Sequence, residues 1–317
     1  MSPGSRNKTP TRQLATLAAK QPKLTLRAEI IHTIRRFFTE QGYLEVETPH
    51  LVTELAPETH IDAIHVGDAF LHTSPELCMK RLLACGYSKI FQICRCFRKG
   101  ERGVHHLSEF TLLEWYRIEA DYQTLMTECE EMICFLCRSL GLGRRIEYQA
   151  LGVDLQRPWE RMSVSEAFRR YASVPLTEAL VADRFDEIMV TEIEPHMRRN
   201  NPVFLFDYPF SHAALARLKE DDPLVAERFE LYLAGIELAN AFSELTDPQE
   251  QTQRFEAERR KQRHHGKEVY PIPARFLNAL PEMPAAAGIA FGVDRLVMVL
   301  ANAASVDDVV CFTPEEV

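Results

Sequence analysis

Two strand-like runs, Phe91 to Phe97 and Phe110 to Arg117, constrain this chain most, because their alternation marks strands that bury one face. They are joined by the polar, glycine-bearing stretch Lys99 to Ser108, which predicts an antiparallel hairpin with a long loop. A loop of that length held between strands is where function tends to reside. Period two puts Phe91, Ile93, Arg95 and Phe97 on one face and Gln92, Cys94, Cys96 and Arg98 on the other. On the second strand Phe110, Leu112, Glu114 and Tyr116 share a face, offering a ring for stacking beside a carboxylate and a phenol for a cation.

Helical spacing of Leu26, Ile30, Ile34, Phe37 and Phe38 predicts a helix capped by Thr25 and ended by Gly42, followed by a strand over Tyr43 to Thr48 that stops at Pro49. Asp121 to Leu140 reads as a helix, as does Asp247 to Arg263, with Asp247 as cap, Pro248 in the first turn and Gly266 beyond the end. Strands are predicted at Val203 to Asp207, Phe229 to Leu238 and Gly288 to Val293, the last running into a helix over Asp294 to Asn302. Without regular βαβ alternation or an internal repeat, this order predicts an α+β domain built on an antiparallel sheet flanked by helices over 25–317, preceded by a basic arm over 1–24.

The chain of 317 residues is 46% hydrophobic and 26% charged with 13 Gly and 18 Pro, which excludes collagen, extended disorder and a disulfide-stapled miniprotein. No stretch reaches the ~20 apolar residues needed to span a bilayer, so no membrane association is predicted. A net charge of −9 argues against a broad grip on nucleic acid. Lys80 to Arg102 nevertheless holds seven cations and one acid, Glu101, enough to receive a polyanion or simply to face water. The strip Arg259, Arg260, Lys261, Arg263 and Lys267 has the same two readings. The eight cysteines lack metal or disulfide spacing; Cys129 and Cys137 lie on the apolar stripe Leu125, Met126, Cys129, Met132, Ile133, Leu136, Cys137, Leu140. They read as reduced thiols of a cytoplasmic protein. Six cations and no acid in the first 28 residues, without an apolar core, do not make a secretory signal.

Neither a P-loop nor a Rossmann glycine run is present, so any nucleotide must be held by side chains, for which the planar, permanently charged fork of arginine is suited. Residues 91–117, FQICRCFRKGERGVHHLSEFTLLEWYR, resemble motif 2 of class II aminoacyl-tRNA synthetases, specifically the lysyl branch. GYLEVETPHL (42–51) resembles motif 1, GIAFGVDRLVMVL (288–300) motif 3, and GIELANAFSEL (235–245) the lysyl-specific stretch before it. The likeness runs from about Leu26 to the C-terminus and leaves no room for the anticodon-binding domain of a lysyl-tRNA synthetase. It is similar to the paralogues that lack that domain and act on a translation factor.

That resemblance implies ATP-dependent activation of (R)-β-lysine, or lysine, as an adenylate, with elongation factor P as the protein acceptor, Mg²⁺ as cofactor, a homodimer through motif 1, and no tRNA. It implies that Arg98 bonds the substrate carboxylate and the α-phosphate and that Arg295 covers adenine and meets the γ-phosphate, these two being the catalytic pair. Glu101, His106, Phe110, Leu238 and Gly292 join them around ATP, and Glu230 and Glu237 take the metal. Because these glutamates are seven apart, they fall on opposite faces of a straight strand, so the chain must turn between them, at Gly235. Ser74 and Glu76 of the TSPE segment, with Glu114, Tyr116, Asn240, Glu244 and Ala290, line the amino-acid pocket.

Four positions depart from the lysyl pattern. Leu107 and Ser108 replace Asn-Pro after His106, and Gly100 stands where Glu is usual, so Glu101 takes that role through a shifted loop. Ala290 replaces Gly, and its methyl disfavours a group on the α-carbon by ~1–3 kcal/mol, which favours β-lysine. Two rival readings are a truncated lysyl-tRNA synthetase that charges tRNA and a non-catalytic regulatory homologue. The second predicts loss of Arg98, Phe110, Glu230, Glu237 and Arg295, all of which are present.

Overall fold

A computed structural model describes residues 12–317. Helix α1 (Arg12–Glu40) leads to short strands β1 (Leu44–Glu45), β2 (Leu51–Val52), β3 (Ile64–Val66) and β4 (Ala69–Leu71), then α2 (Glu76–Ala84). The long hairpin β5 (Lys89–Phe97) and β6 (Glu109–Ile118) precedes α3 (Tyr122–Ser139). A middle section follows: β7 (Arg145–Tyr148), β8 (Leu151–Asp154), β9 (Glu160–Ser163), α4 (Val164–Tyr171), α5 (Leu176–Val181) and α6 (Phe185–Ile188). The chain closes with β10 (Val203–Pro209), β11 (Val225–Leu233), β12 (Ile236–Ser243), α7 (Pro248–His264), α8 (Ala274–Ala279), β13 (Ala286–Gly292) and α9 (Val293–Leu300).

Eight strands form the central sheet in the order β1-β5-β6-β13-β12-β11-β10-β9, with parallel pairs only at its two edges. One face is covered by α1, α3 and α9. Phe38 stacks on Phe91 at 5.0 Å and meets Trp115 at 5.0 Å, while the predicted stripe of α3 is buried in the same core. The other face carries Ile90, Tyr116 and Phe242 against Met79, Leu83, Phe255 and Phe276 of α2, α7 and α8, and it leaves the centre of the sheet for polar residues. The α+β architecture expected from the sequence is therefore the observed one.

Several boundaries differ from the sequence reading. Thr25 does not cap α1: the helix is in place by Arg12, and Thr25 Oγ1 donates back to the Gln21 carbonyl within it. Residues 12–24 thus belong to the helix rather than to an arm, and 1–11 lie outside the described residues. Gly42 does end the turn, in a left-handed conformation (φ +76°) with Tyr43 N–H bonded to Phe38 O. The strand expected over Tyr43 to Thr48 is only Leu44–Glu45, and the single strand expected over Phe229 to Leu238 is a hairpin.

The Lys80 to Arg102 cluster is not one basic surface. Lys80 is buried between two glutamates, Arg102 is paired with Asp307 and Glu315, and Arg95 faces Glu109 at 3.7 Å. In the 259–267 strip, Glu256, Glu258 and Asp62 neutralise Arg259, Lys261 and Lys267. No described helix is long and apolar enough to cross a membrane.

The β11–β12 turn positions the site and depends on glycine. Gly235 has φ +84°, and a Cβ there would stand 3.0 Å from Arg198 Cβ. Gly235→Ala is expected to destabilise the fold by about 1–2 kcal/mol. Urea denaturation reads this as a lower midpoint at unchanged slope; an unchanged midpoint would contradict it.

Candidate functional site

At the centre of the polar face, the pairing of β6 with β13 puts Gly288 opposite Tyr116 and Ala290 opposite Glu114, while β12 brings Asn240 opposite Ala290. Glu114 is 1% exposed; its two oxygens accept from the Ser74 hydroxyl (2.6 Å) and the Tyr116 hydroxyl (2.8 Å). Burial, reinforced by the charge of Glu76, pushes its carboxyl well above the ordinary range against the pull of those two bonds. Glu114 therefore orients Ser74 and Tyr116 from behind.

Gly288 makes this packing possible. A Cβ at that position would lie 2.2 Å from the Tyr116 ring and 2.3 Å from Glu244 Oε1, so only a hydrogen lets the phenol and the second carboxylate meet over β13. Glu244 Oε2 and Glu76 Oε1 each stand 2.5 Å from the buried Lys80 ammonium. Burial works against that charge, but Glu244 and Glu76 outweigh it and hold the Lys80 pKa up. Glu244 is pushed up to about 8, chiefly by burial and only partly relieved by Lys80. Glu76 and Glu244 thus share one internal cation, with Glu114 beside them bonded to Ser74 and Tyr116.

Beside this acidic end lies a cavity of about 280 Å³. Arg98, Glu101, His106 and Phe110 line one side of it, Glu237, Leu238, Gly292 and Arg295 the other, and Asn240 and Ala290 the wall toward the carboxylates. The Arg98 guanidinium lies 4.9 Å over the Phe110 ring and 3.7 Å from Glu101. Arg295 donates to the Glu237 carbonyl (2.8 Å) and carboxylate (3.1 Å) and to His106 Nε2 (2.6 Å). Accepting that bond makes His106 a neutral imidazole, consistent with a pKa lowered by burial and by Arg295. Leu107, which departs from the pattern, lines the same cavity and is buried in the core behind it.

Glu237 reaches this cavity because of the turn. The two-residue turn at Ala234 and Gly235, both with positive φ, pairs Leu233 with Ile236 and Tyr232 with Glu237, which sets the glutamate on the face of Glu230, as the sequence predicts. The register then shifts between Leu231 and Tyr232, with Leu238 as the extra residue, so that Glu230 pairs with Asn240 and the asparagine joins the same face. Glu230 does not line the cavity: its oxygens accept from Arg228 (2.7 Å) and Tyr232 (2.8 Å), and burial raises its pKa against Arg228, with Glu237 adding to the rise.

Four further residues belong here. Lys80 stands four after Glu76 on α2, a spacing that could have exposed the pair. Arg228, two before Glu230 on one strand face, also bonds Asn240 Oδ1 at 3.0 Å. Glu194 is pushed up to about 7 by burial, Glu230 and Glu237, and Glu58 to about 7 by burial and Glu76. Both come from irregular segments with no periodicity to reveal them.

Residues 5–316 match the model of the family described as tRNA synthetases class II (D, K and N). Elongation factor P--(R)-beta-lysine ligases of Salmonella paratyphi B, Salmonella heidelberg and Salmonella enteritidis are each 39% identical over 319 residues, covering 93% of this chain and 96% of the relative.

Gly288→Ala is expected to cost about 1–3 kcal/mol in urea denaturation by overpacking. Gly292→Ala, whose Cβ meets nothing closer than 3.6 Å, should stay within about 0.5 kcal/mol; equal effects would contradict the close approach. Glu194 binds its proton more tightly folded than unfolded, so its burial opposes stability as pH rises from 4.5 through about 7. Glu194→Gln should therefore raise the denaturation midpoint at pH 8 and leave it unchanged at pH 4; equal gains at both would refute the assignment.

Proposed function

The chain belongs to the class II tRNA synthetase family of the D, K and N type, and from that membership we propose that it activates (R)-β-lysine with ATP and transfers it to the ε-amine of a lysine of elongation factor P. The observation that carries this reading is the shared wall of the two halves of the site: Asn240 and Ala290 separate buried carboxylates, suited to a diamino acid, from an arginine-lined cavity suited to a triphosphate. A desolvated ammonium needs opposite charge and hydrogen bonds, and Glu76, Glu244 and the Tyr116 hydroxyl supply both.

In the first step a carboxylate oxygen attacks the α-phosphorus and pyrophosphate leaves. Arg98 holds both reactants and offsets the charge that develops, and Arg295 takes the γ-phosphate. In the second, the ε-amine attacks the acyl carbon, AMP leaves, and an amide forms with loss of a proton. The donor set around Glu237 fits a hard divalent cation: burial first, then Glu230 and Glu237, raise the pKa of Glu194, and burial with Glu237 raises that of Glu230, which marks clustered carboxyl oxygens. Mg²⁺ held by Glu237 with Glu230 would supply neutralising charge to pyrophosphate.

Exposed Leu44, Leu51 and Val66 around motif 1 support a homodimer through that face. Eight free cysteines support a reducing, cytoplasmic setting.

Incubation of elongation factor P with this protein, ATP and (R)-β-lysine is expected to add one lysyl residue by intact mass, with lysine less effective. Charging of tRNA without modification of the factor would establish the truncated synthetase instead, and absence of pyrophosphate exchange with both isomers would establish the non-catalytic homologue. Arg98→Ala should lower exchange ~10²- to 10³-fold. Ala290→Gly should narrow the preference for the β isomer about tenfold or more; an unchanged ratio would remove Ala290 from substrate selection.

A further inference from the structure

Cys94 and Cys96 of β5 alternate onto the face that carries Gln92 and Arg98, and the segment entering α2 lays His72 beside them. All three are buried, at 8%, 0% and 1% exposure. Cys94 Sγ lies 3.9 Å from Cys96 Sγ, which lies 3.9 Å from His72 Nε2, and one donor atom from each residue falls within 4.8 Å of the others. Spacing along the chain hides this cluster, since a Cys-x-Cys pair completes a site only with a histidine from another element.

We propose that His72, Cys94 and Cys96 bind a thiophilic d¹⁰ cation, zinc(II) or copper(I). A tetrahedral metal with ~2.3 Å bonds to sulphur separates two thiolates by roughly 3.8 Å, so these sulphurs already stand at ligand distance. They are poorly placed as a disulfide: residues two apart on a strand have Cα atoms roughly 6.6–6.8 Å apart, the outer limit for such a bond. The His72 nitrogen that faces the thiols is Nε2, which also lies 2.6 Å from the Arg95 carbonyl, while Nδ1 is buried with no partner among the described residues. Ligation through Nε2 exchanges that carbonyl bond for the cation and leaves the ring proton on Nδ1.

Two thiolates and an imidazole leave a further position open to solvent or to His50, whose ring centroid is 5.1 Å from that of His72. His72 also lines a small hollow with Val52, Leu55 and Ser74, which gives an ion a way in. The chemistry proposed above uses none of the three residues. Their place still matters to it: Leu112, Phe110 and Ala290 pack on the two cysteines, and His72 precedes Thr73 and Ser74, so a bound ion would brace the floor of the cavity and the TSPE segment together.

The test uses the full chain, stripped with a chelator and kept reduced under anaerobic conditions. Titration with Co²⁺ alone should give a sulphur-to-cobalt charge-transfer band that saturates at one equivalent and is bleached by Zn²⁺. The band should be lost in Cys94→Ser and Cys96→Ser and kept in the double variant Cys85→Ser, Cys311→Ser, which removes the exposed thiols. Should the buried-site variants not fold, X-ray absorption of the wild-type chain loaded with Zn²⁺ or Cu⁺ decides. A shell with two sulphurs supports the site, with four-coordinate zinc or three-coordinate copper telling the ions apart. No band together with no equimolar zinc or copper after gel filtration, a band that survives loss of both Cys94 and Cys96, or a shell of oxygen and nitrogen alone would overturn the proposal.

Discussion

Burying carboxylates side by side is unfavourable unless a cation answers them, and the polar face of this sheet places Glu76 and Glu244 around the single ammonium of Lys80, with Glu114 close by on Ser74 and Tyr116. One base cannot answer both of its carboxyl partners and the third carboxyl beside them. Burial holds the carboxyl of Glu114 well above the ordinary range and pushes that of Glu244 up to about 8. Such a pocket is unfavourable for apolar guests and pre-organised for one that carries two ammonium groups and a carboxylate.

The geometry that permits this is set by very few atoms. Gly288 lacks the methylene that would separate Tyr116 from Glu244. One extra residue in β12, Leu238, brings Asn240 onto the face of Glu237, which meets Arg295 in the cavity. Beneath both, Asp294 accepts from Thr111 N–H at 2.7 Å and faces the Arg27 guanidinium at 2.5 Å, so α1, β6 and α9 are tied under the floor of the site. Conformational precision here comes from the sheet and its register rather than from mobile loops.

Much of this was legible in the sequence because it follows from period and punctuation. Alternation located the β5–β6 hairpin and the shared face of Phe110, Glu114 and Tyr116; Asp121 and Asp247 marked helix starts through their side-chain caps. The resemblance collected Arg98, Phe110, Glu237 and Arg295 into one group, and they line one cavity. What stayed hidden has a common cause. The turn at Gly235 that sets Glu237 on the face of Glu230 was legible, but the bulge that adds Asn240 to that face does not announce itself in alternation, and the placement of Glu230 behind Arg228 and Tyr232 was not foreseen. Glu58, Glu194 and His72 arrive from connecting segments, where tertiary contact alone decides proximity. Thr25 failed as a cap because Pro22 is accommodated inside a longer helix.

Proton linkage measures the central claim, that excess buried acid is the ligand's counter-charge. Calorimetric titration of (R)-β-lysine at pH 7 in buffers of differing ionisation enthalpy should show net proton release, as an incoming ammonium pulls Glu244 down from about 8. The release should shrink above pH 8, where that carboxyl is already ionised, and disappear in Glu244→Gln. Binding with no proton exchange at pH 7, or binding of an uncharged side-chain analogue as tight as that of the diamino acid, would contradict it.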